Sequence, residues 1–185
     1  MTIPDELTTP RMRLRPLAAS DIDWLVELDA DPEVTRYLAF REPNTRERYE
    51  RELLPRMLAY TDQPYGFYAA VDAHGEVLGW FHLRPSVADE QMLELGYRLR
   101  RAAWGVGLAT EGSQALLRRA FFELDQREVD ACTMAENAAS IAVMRKCGMQ
   151  YVGRFVHPRA TWIEVVRYLV DRDTFARLHG PGISA

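Results

Sequence analysis

Hydrophobic and polar positions alternate most clearly in one stretch, where Leu93, Leu95, Tyr97 and Leu99 take turns with Glu94, Gly96 and Arg98. A period of two predicts a strand with two unlike faces. The alternation stops at Arg100 and Arg101, Gly105 and Gly107 follow, and residues 109–124 can then run as a helix. Upstream, residues 11–17 predict a first strand ended by Pro16. Ser20 and Asp23 signal a helix start, with Ile22, Leu25 and Val26 on one apolar face and Pro32 closing the segment. A second helix is predicted from Asn44, with Tyr49, Leu53 and Met57 recurring along one side. Pro55 lies inside that pattern and should kink or break it, because a backbone donor is lost and the ring clashes with the preceding turn.

Further strands are predicted over residues 66–71 and 77–84, joined by a turn at 72–75 with Gly75 at its end. Pro85 closes the second of them, and a polar loop leads into the alternating stretch. Residues 129–134 predict another strand, 138–147 a short helix, and 150–156 and 162–170 the last two strands. Residues 171–179 read as a terminal helical turn, stopped by Gly180 and Pro181. There is no repeat, low-complexity tract or linker, so one domain over residues 1–185 is expected.

Composition narrows the function classes. At 48% hydrophobic and 27% charged, the chain has the make-up of a soluble protein able to bury a sizeable core. A net charge of −4 argues against nonspecific binding to nucleic acid. No apolar run reaches the length of a membrane helix, and the N-terminal residues show no signal peptide. Cys132 and Cys147 have no metal-ligand spacing and read as free thiols in a reducing cytoplasm. No metal is expected, nor any membrane partner.

The candidate chemistry starts at the glycine pair. A small-residue turn feeding a helix exposes backbone N–H groups that have no partner inside the helix. Such a terminus binds anions, phosphate above all, and small residues let a pyrophosphate approach the backbone closely. On spacing alone, a plain strand–helix turn with glycines for tightness remains an equal alternative.

The segment from Glu94 to Gly112 resembles the acyl-CoA binding motif of the GNAT superfamily of N-acetyltransferases, Q/R-x-x-G-x-G/A, which here falls on Trp104, Gly107 and Ala109. Trp104 replaces the usual Gln or Arg, as is typical of the RimJ/RimL-like branch. Asn137 and Ser140, followed by Arg145 to Met149, are similar to the family's N-x-x-S/A…K-x-G-F segment. Leu14 to Leu17 and Asp31 to Val34 resemble the branch's L-R-P-L and D-P-E-V. The resemblance covers a core of about residues 8–175. It implies an α/β (α+β) GNAT fold, with a mixed, mostly antiparallel sheet of about seven strands flanked by about four helices and splayed at strands 4 and 5. The implied activity is acetyl transfer from acetyl-CoA to a primary amine, on a small molecule or a protein N-terminus. The implied setting is cytoplasmic, and a homodimer is among the expected partners.

Acetyl transfer needs a held carrier, a neutral amine, a stabilised oxyanion and a partner for the leaving thiolate. The resemblance assigns the pyrophosphate to Trp104, Gly105, Val106, Gly107, Leu108, Ala109 and Thr110. It assigns the pantetheine arm to an open strand edge at Leu99 and Arg101, paired as an added strand would be. Asn137 would hold the arm from the other side, a role compatible with capping the helix after it. Many relatives protonate the thiolate with a tyrosine whose position here is Met144, so Ser140 becomes the candidate, with a capping serine as the alternative. Glu94 is the candidate base for the amine, with an ordinary exposed strand glutamate as the alternative. His82 and His157 read as surface or core histidines. A non-catalytic acyl-CoA binder is the rival reading. A dinucleotide-binding oxidoreductase is a poor one, because Thr110 occupies the third glycine position and no acidic residue follows at the right place.

Overall fold

A computed structural model describes residues 6–38, 44–158 and 160–180. Its eight strands are β1 (Leu7–Thr8), β2 (Met12–Pro16), β3 (Gly66–Asp72), β4 (Val77–Pro85), β5 (Leu93–Leu99), β6 (Glu128–Thr133), β7 (Gln150–Val156) and β8 (Glu164–Asp171). They form one sheet in the order β1-β2-β3-β4-β5-β6-β8-β7. Neighbours are antiparallel throughout except β5 and β6, which run parallel and pair only at Leu93↔Val129 and Glu94↔Asp130. Beyond Glu94 the two strands part, so the rest of β5 has an open edge. This is the expected splay.

The sheet has one strand more than the seven expected. The extra one, β1, is two residues long, too short to show any alternation. Helices are α1 (Ile22–Ala30), α2 (Pro32–Thr35), α3 (Arg46–Arg48), α4 (Leu54–Leu58), α5 (Leu108–Arg118), α6 (Ala138–Lys146) and α7 (Arg172–His179). There are more helical segments than the four expected, partly because the 46–58 helix is divided. A π turn, Tyr49–Leu53, joins α3 to α4, and the Leu54 N–H reaches back to the Tyr49 carbonyl. Pro55 follows at the start of α4. The widened turn absorbs the missing donor, so the expected disturbance takes the form of a π irregularity and the helix continues through it. Another π turn, Arg119–Glu123, extends α5.

Two predicted helix starts move by a residue or two for clear reasons. Ser20 does not cap α1. The buried carboxylate of Asp21 instead accepts from Ala18 N–H (2.8 Å), Trp24 Nε1 (2.7 Å) and Arg15. Thr45 caps α3 by accepting the Arg48 N–H. Asn44 is buried and donates to Asp29 at 2.6 Å. The last helix is capped by Asp171, which accepts the Thr174 N–H at 2.7 Å. Gly180 ends it, and Pro181 lies outside the described residues.

The two faces of the sheet carry separate cores. Phe81, Leu83 and Leu95 belong to one, with Leu116 and Phe121 from the α5 segment and Phe175 from α7. Ala69, Val71 and Trp80 belong to the other, with Leu25 and Leu28 of α1 and Tyr49 of the 46–58 helix. Fully burying one such large side chain contributes about 1.5–3 kcal/mol. Under the second face, Asp29 is 0% exposed and accepts from Arg98, Asn44 and Tyr49 (2.7 Å to the phenol). This network ties α1 and the 46–58 helix to β5. Among the described residues, no helix is long and apolar enough to cross a membrane.

Candidate active site at the parting of two strands

After β5 the chain makes a 3₁₀ turn, Arg101–Ala103, and an exposed loop leads into α5. Gly105 and Gly107 have φ of 75° and 88°, conformations that cost any residue with a Cβ. A Cβ at Gly105 would meet nothing within 4 Å, so this side of the loop is open to a ligand. The N–H groups of Leu108, Ala109 and Thr110 precede the first intrahelical bond, from Glu111 N–H to the Gly107 carbonyl (3.0 Å). They are the donors that an anion would use.

The loop is clasped from outside. Arg11 donates to the Val106 carbonyl (2.7 Å) and to Glu111 (2.7 Å), and Thr9 donates to Glu111 as well (2.7 Å). Partial burial would push the Glu111 carboxyl up, but these bonds outweigh it and hold it down. Thus the N-terminal strands set the shape of the loop. No periodicity in the sequence announces that contact.

Arg100 N–H donates to the Leu78 carbonyl on β4 (2.8 Å). By alternation the backbone groups of Leu99 face the open edge, where the Leu99 carbonyl accepts from Trp104 Nε1 (2.8 Å). Arg101 lies one step past the strand, in the 3₁₀ turn, and its side chain pairs with Asp31 (2.7 Å). Leu99 is therefore at the edge and Arg101 is beyond it.

Where β5 and β6 part, a groove of about 1050 Å³ opens through the sheet. It is lined from both faces of β5. On one face Tyr97 packs against Phe81, with ring centroids 5.7 Å apart. Its hydroxyl lies 3.3 Å from Ser140 Oγ in the first turn of α6. Burial pushes the Tyr97 phenol up, so it stays protonated and able to donate at neutral pH. Asn137 caps α6 by accepting the Ser140 N–H (3.2 Å) and donates to Thr133 (3.1 Å). An amide has further donor and acceptor capacity for a ligand. Met144 is buried in the groove wall, as is Ser113 of α5, whose hydroxyl has no hydrogen-bond partner among the described residues. A buried orphan hydroxyl suits the amides of a pantetheine arm. Sequence reading placed Tyr97 in the row of Leu93, Leu95 and Leu99 without a role and did not single out Ser113.

On the opposite face Glu94 is 5% exposed, which rules out an ordinary exposed strand glutamate. Arg84 donates to Glu94 Oε1 at 2.7 Å, and His82 Nε2 lies 3.5 Å from the same oxygen. Burial alone would push the Glu94 carboxyl up. The contacts with His82 and Arg84 outweigh it and hold it at about 2. His82 is itself 6% exposed, stacked on Trp80 and edge-on to Phe67. Burial pushes its imidazole down to about 4, against the opposing pull of Glu94. The outer walls of the groove carry Arg48 and Arg56 from the 46–58 helix, and His157 and Trp162 from the β7–β8 connection.

One sheet thus offers a glycine loop with free backbone donors and a hydroxyl pair on one side of a gap, and a carboxylate and an imidazole on the other. The family model of the acetyltransferase (GNAT) domain matches residues 11–150. The chain belongs to the GNAT acetyltransferase family. As a GNAT member it is an acyltransferase acting on amines. A curated relative, the FsC-acetyl coenzyme A-N(2)-transacetylase of Aspergillus fumigatus, is 35% identical over 191 residues, spanning 96% of this chain and 81% of that protein. Among solved structures, a GNAT-family acetyltransferase from Bacillus anthracis superposes with a TM-score of 0.76 at 21% identity, covering 91% of this chain and 99% of that one. The spermidine N-acetyltransferase of Vibrio cholerae, solved with CoA and spermine, gives 0.72 at 17% identity, covering 89% and 97%. These two structures share the GNAT fold with this chain.

Proposed function

We propose that this acetyltransferase moves an acetyl group from acetyl-CoA to a weakly basic primary amine, an α-amine of a small molecule. It belongs, on this reading, to the RimJ/RimL-like branch. The carrying observation is the acceptor face of the groove, where the one carboxylate among the described residues, Glu94, is locked to Arg84 and held near 2. A lysine-type amine, with a pKa of about 10.4, is neutral only about once in a few thousand molecules at pH 7. It would need a strong base. An α-amine, at about 7.7–8.0, is neutral at roughly the one-in-ten level and needs no strong base to free its lone pair before attack. The relative's name, a transacetylase at an N(2) position, supports the same acceptor class. Arg48 and Arg56 on the groove wall disfavour a polycation.

The roles follow the two faces. The donors at Gly105 to Thr110 would hold the pyrophosphate, while the open edge at Leu99, the Ser113 hydroxyl and Asn137 would hold the arm. Acetyl-CoA brings an activated acyl group with a thiol leaving group. Ser140, in contact with Tyr97, gives the departing sulfur a hydrogen bond that strengthens as charge builds there. Trp104 in the loop and serine at Ser140 with Met144 four residues on support the branch assignment.

Thiol release from acetyl-CoA with amines of graded pKa tests this. Turnover should favour α-amines over lysine-type amines and spermidine at pH 7. Faster turnover on spermidine would overturn the acceptor class, and binding without thiol release would favour a non-catalytic acyl-CoA binder.

A further inference from the structure

His82 is a side chain of the acceptor face whose chemistry the fold leaves unspent. It is buried on β4 and lines the groove, yet neither ring nitrogen has a hydrogen-bond partner among the described residues. Buried polar groups are nearly always satisfied, and an exception calls for an explanation. Nε2 approaches Glu94 Oε1 only to 3.5 Å, beyond a well-formed hydrogen bond.

The surroundings fix the ring in place. Trp80 stacks on it at a centroid distance of 5.6 Å, and Phe67 meets it edge-on at 5.0 Å. Across the ladder its register partner is Gly96. A Cβ at Gly96 would come within 2.5 Å of the imidazole Cε1, so only glycine leaves room for the ring there. Packing this tight around an unpaired imidazole serves placement of its nitrogens better than it serves stability.

We propose that His82, rather than Glu94, takes the proton from the attacking amine, with Glu94 as the charge that steadies the imidazolium. The inference rests on the acetyl-transfer reading above. The amine nitrogen uses its lone pair to form a bond to the acyl carbon, and the C–S bond breaks with its electron pair going to sulfur. The N–H proton, made acidic by that attack, passes to an unprotonated nitrogen of His82 and then to solvent. Burial keeps the ring unprotonated at neutral pH and so available as an acceptor. Glu94, anchored by Arg84, cannot move to follow the proton, but its charge lies beside the ring.

His82→Phe separates placement from chemistry. Phenylalanine keeps a ring between Trp80 and Phe67 and removes both unpaired nitrogens, so the variant should be at least as stable as the wild type. Thiol release with an α-amine should fall about 100-fold or more, within the range for loss of a general base. The thermal shift induced by acetyl-CoA should survive. His82→Ala leaves a ring-sized space on the groove, and added imidazole should raise its rate at least tenfold. A His82→Phe variant within threefold of wild type overturns the proposal, as does a His82→Ala variant that imidazole leaves unchanged. Wild-type protein that releases no thiol with any amine sinks the acetyl-transfer reading itself, and the role of His82 falls with it.

Discussion

The hydroxyl of Tyr97 on β5 lies 3.3 Å from that of Ser140 in the first turn of α6. Ser140 and Met144 stand one turn apart on that helix, and Met144 holds the position where many relatives carry a tyrosine. Here a tyrosine reaches the same turn from the strand instead. Ser140→Ala should lower kcat by roughly ten- to a thousandfold, as when one oxyanion-type donor is removed, with the Kd for acetyl-CoA within a few-fold. Tyr97→Phe, acting through Ser140, should show the same split with a smaller drop. Steady-state turnover beside calorimetric binding checks both. Lost affinity with intact kcat in Ser140→Ala would make the serine a binding contact and leave the thiolate without its partner.

If the loop at Gly105 and Gly107 holds the phosphates as proposed, acetyl-CoA at 100 times its Kd should add about 2.7 kcal/mol to stability. Gly107→Val places a branched side chain at a φ of 88°, which strains the turn, and its Cβ would come 3.4 Å from the Arg11 guanidinium that clasps the loop. The variant should keep a cooperative melt and lose most of the ligand-induced shift. Arg11→Ala should lose part of it, because the Val106 carbonyl is then unclasped. A full shift in Gly107→Val would place the phosphates elsewhere.

Asn137 has two duties. Its cap to Ser140 N–H is worth about 0.5–2 kcal/mol of stability. Asn137→Ala should therefore lower the melting temperature and also weaken acetyl-CoA binding, whereas Asn137→Asp, which keeps the cap, should restore stability alone. Equal affinity in all three proteins would confine Asn137 to capping.

Acid should destabilise the protein in two windows. His82 titrates near 4 in the fold against 6.5 in a free chain, so the unfolded chain takes up its proton first. The stability tied to its neutral form is complete above about 6.5 and is lost as pH falls toward 4, to the order of 3 kcal/mol. Glu94, near 2 against 4.5, contributes stability present above 4.5 and lost as pH falls toward 2. Melting temperatures from pH 7 to 4 should fall in the wild type and fall less in His82→Phe. Parallel curves would show that His82 does not carry the upper window.

Much of this was legible in the sequence because alternation and turn residues are local. The two faces of β5, the loop at Gly105 and Gly107, and the cap at Asn137 all follow from spacing of a few residues. What stayed hidden depends on neighbours far apart in the chain. Tyr97 shares a row with Leu95 and Leu99, and nothing local reveals that its row borders a gap. The seat of His82 is created by Gly96 on another strand. The grip of Arg11 on Val106 spans most of the domain. Pro55 announced an irregularity but not its form, a π turn just before it that absorbs the missing donor.

The parting of β5 from β6 gives the sheet the character of a partition with a slot in it. On the proposed assignment thioester and amine would reach the slot from opposite sides, so neither would need to leave before the other enters. Turnover should accordingly pass through a ternary complex, with intersecting double-reciprocal lines in steady-state kinetics. It also follows that a single molecule joining CoA sulfur to an acceptor amine through a short acyl bridge would lie astride the partition. Such a bisubstrate compound would draw on both binding surfaces at once, and its affinity would fall if either Gly107 or His82 were changed.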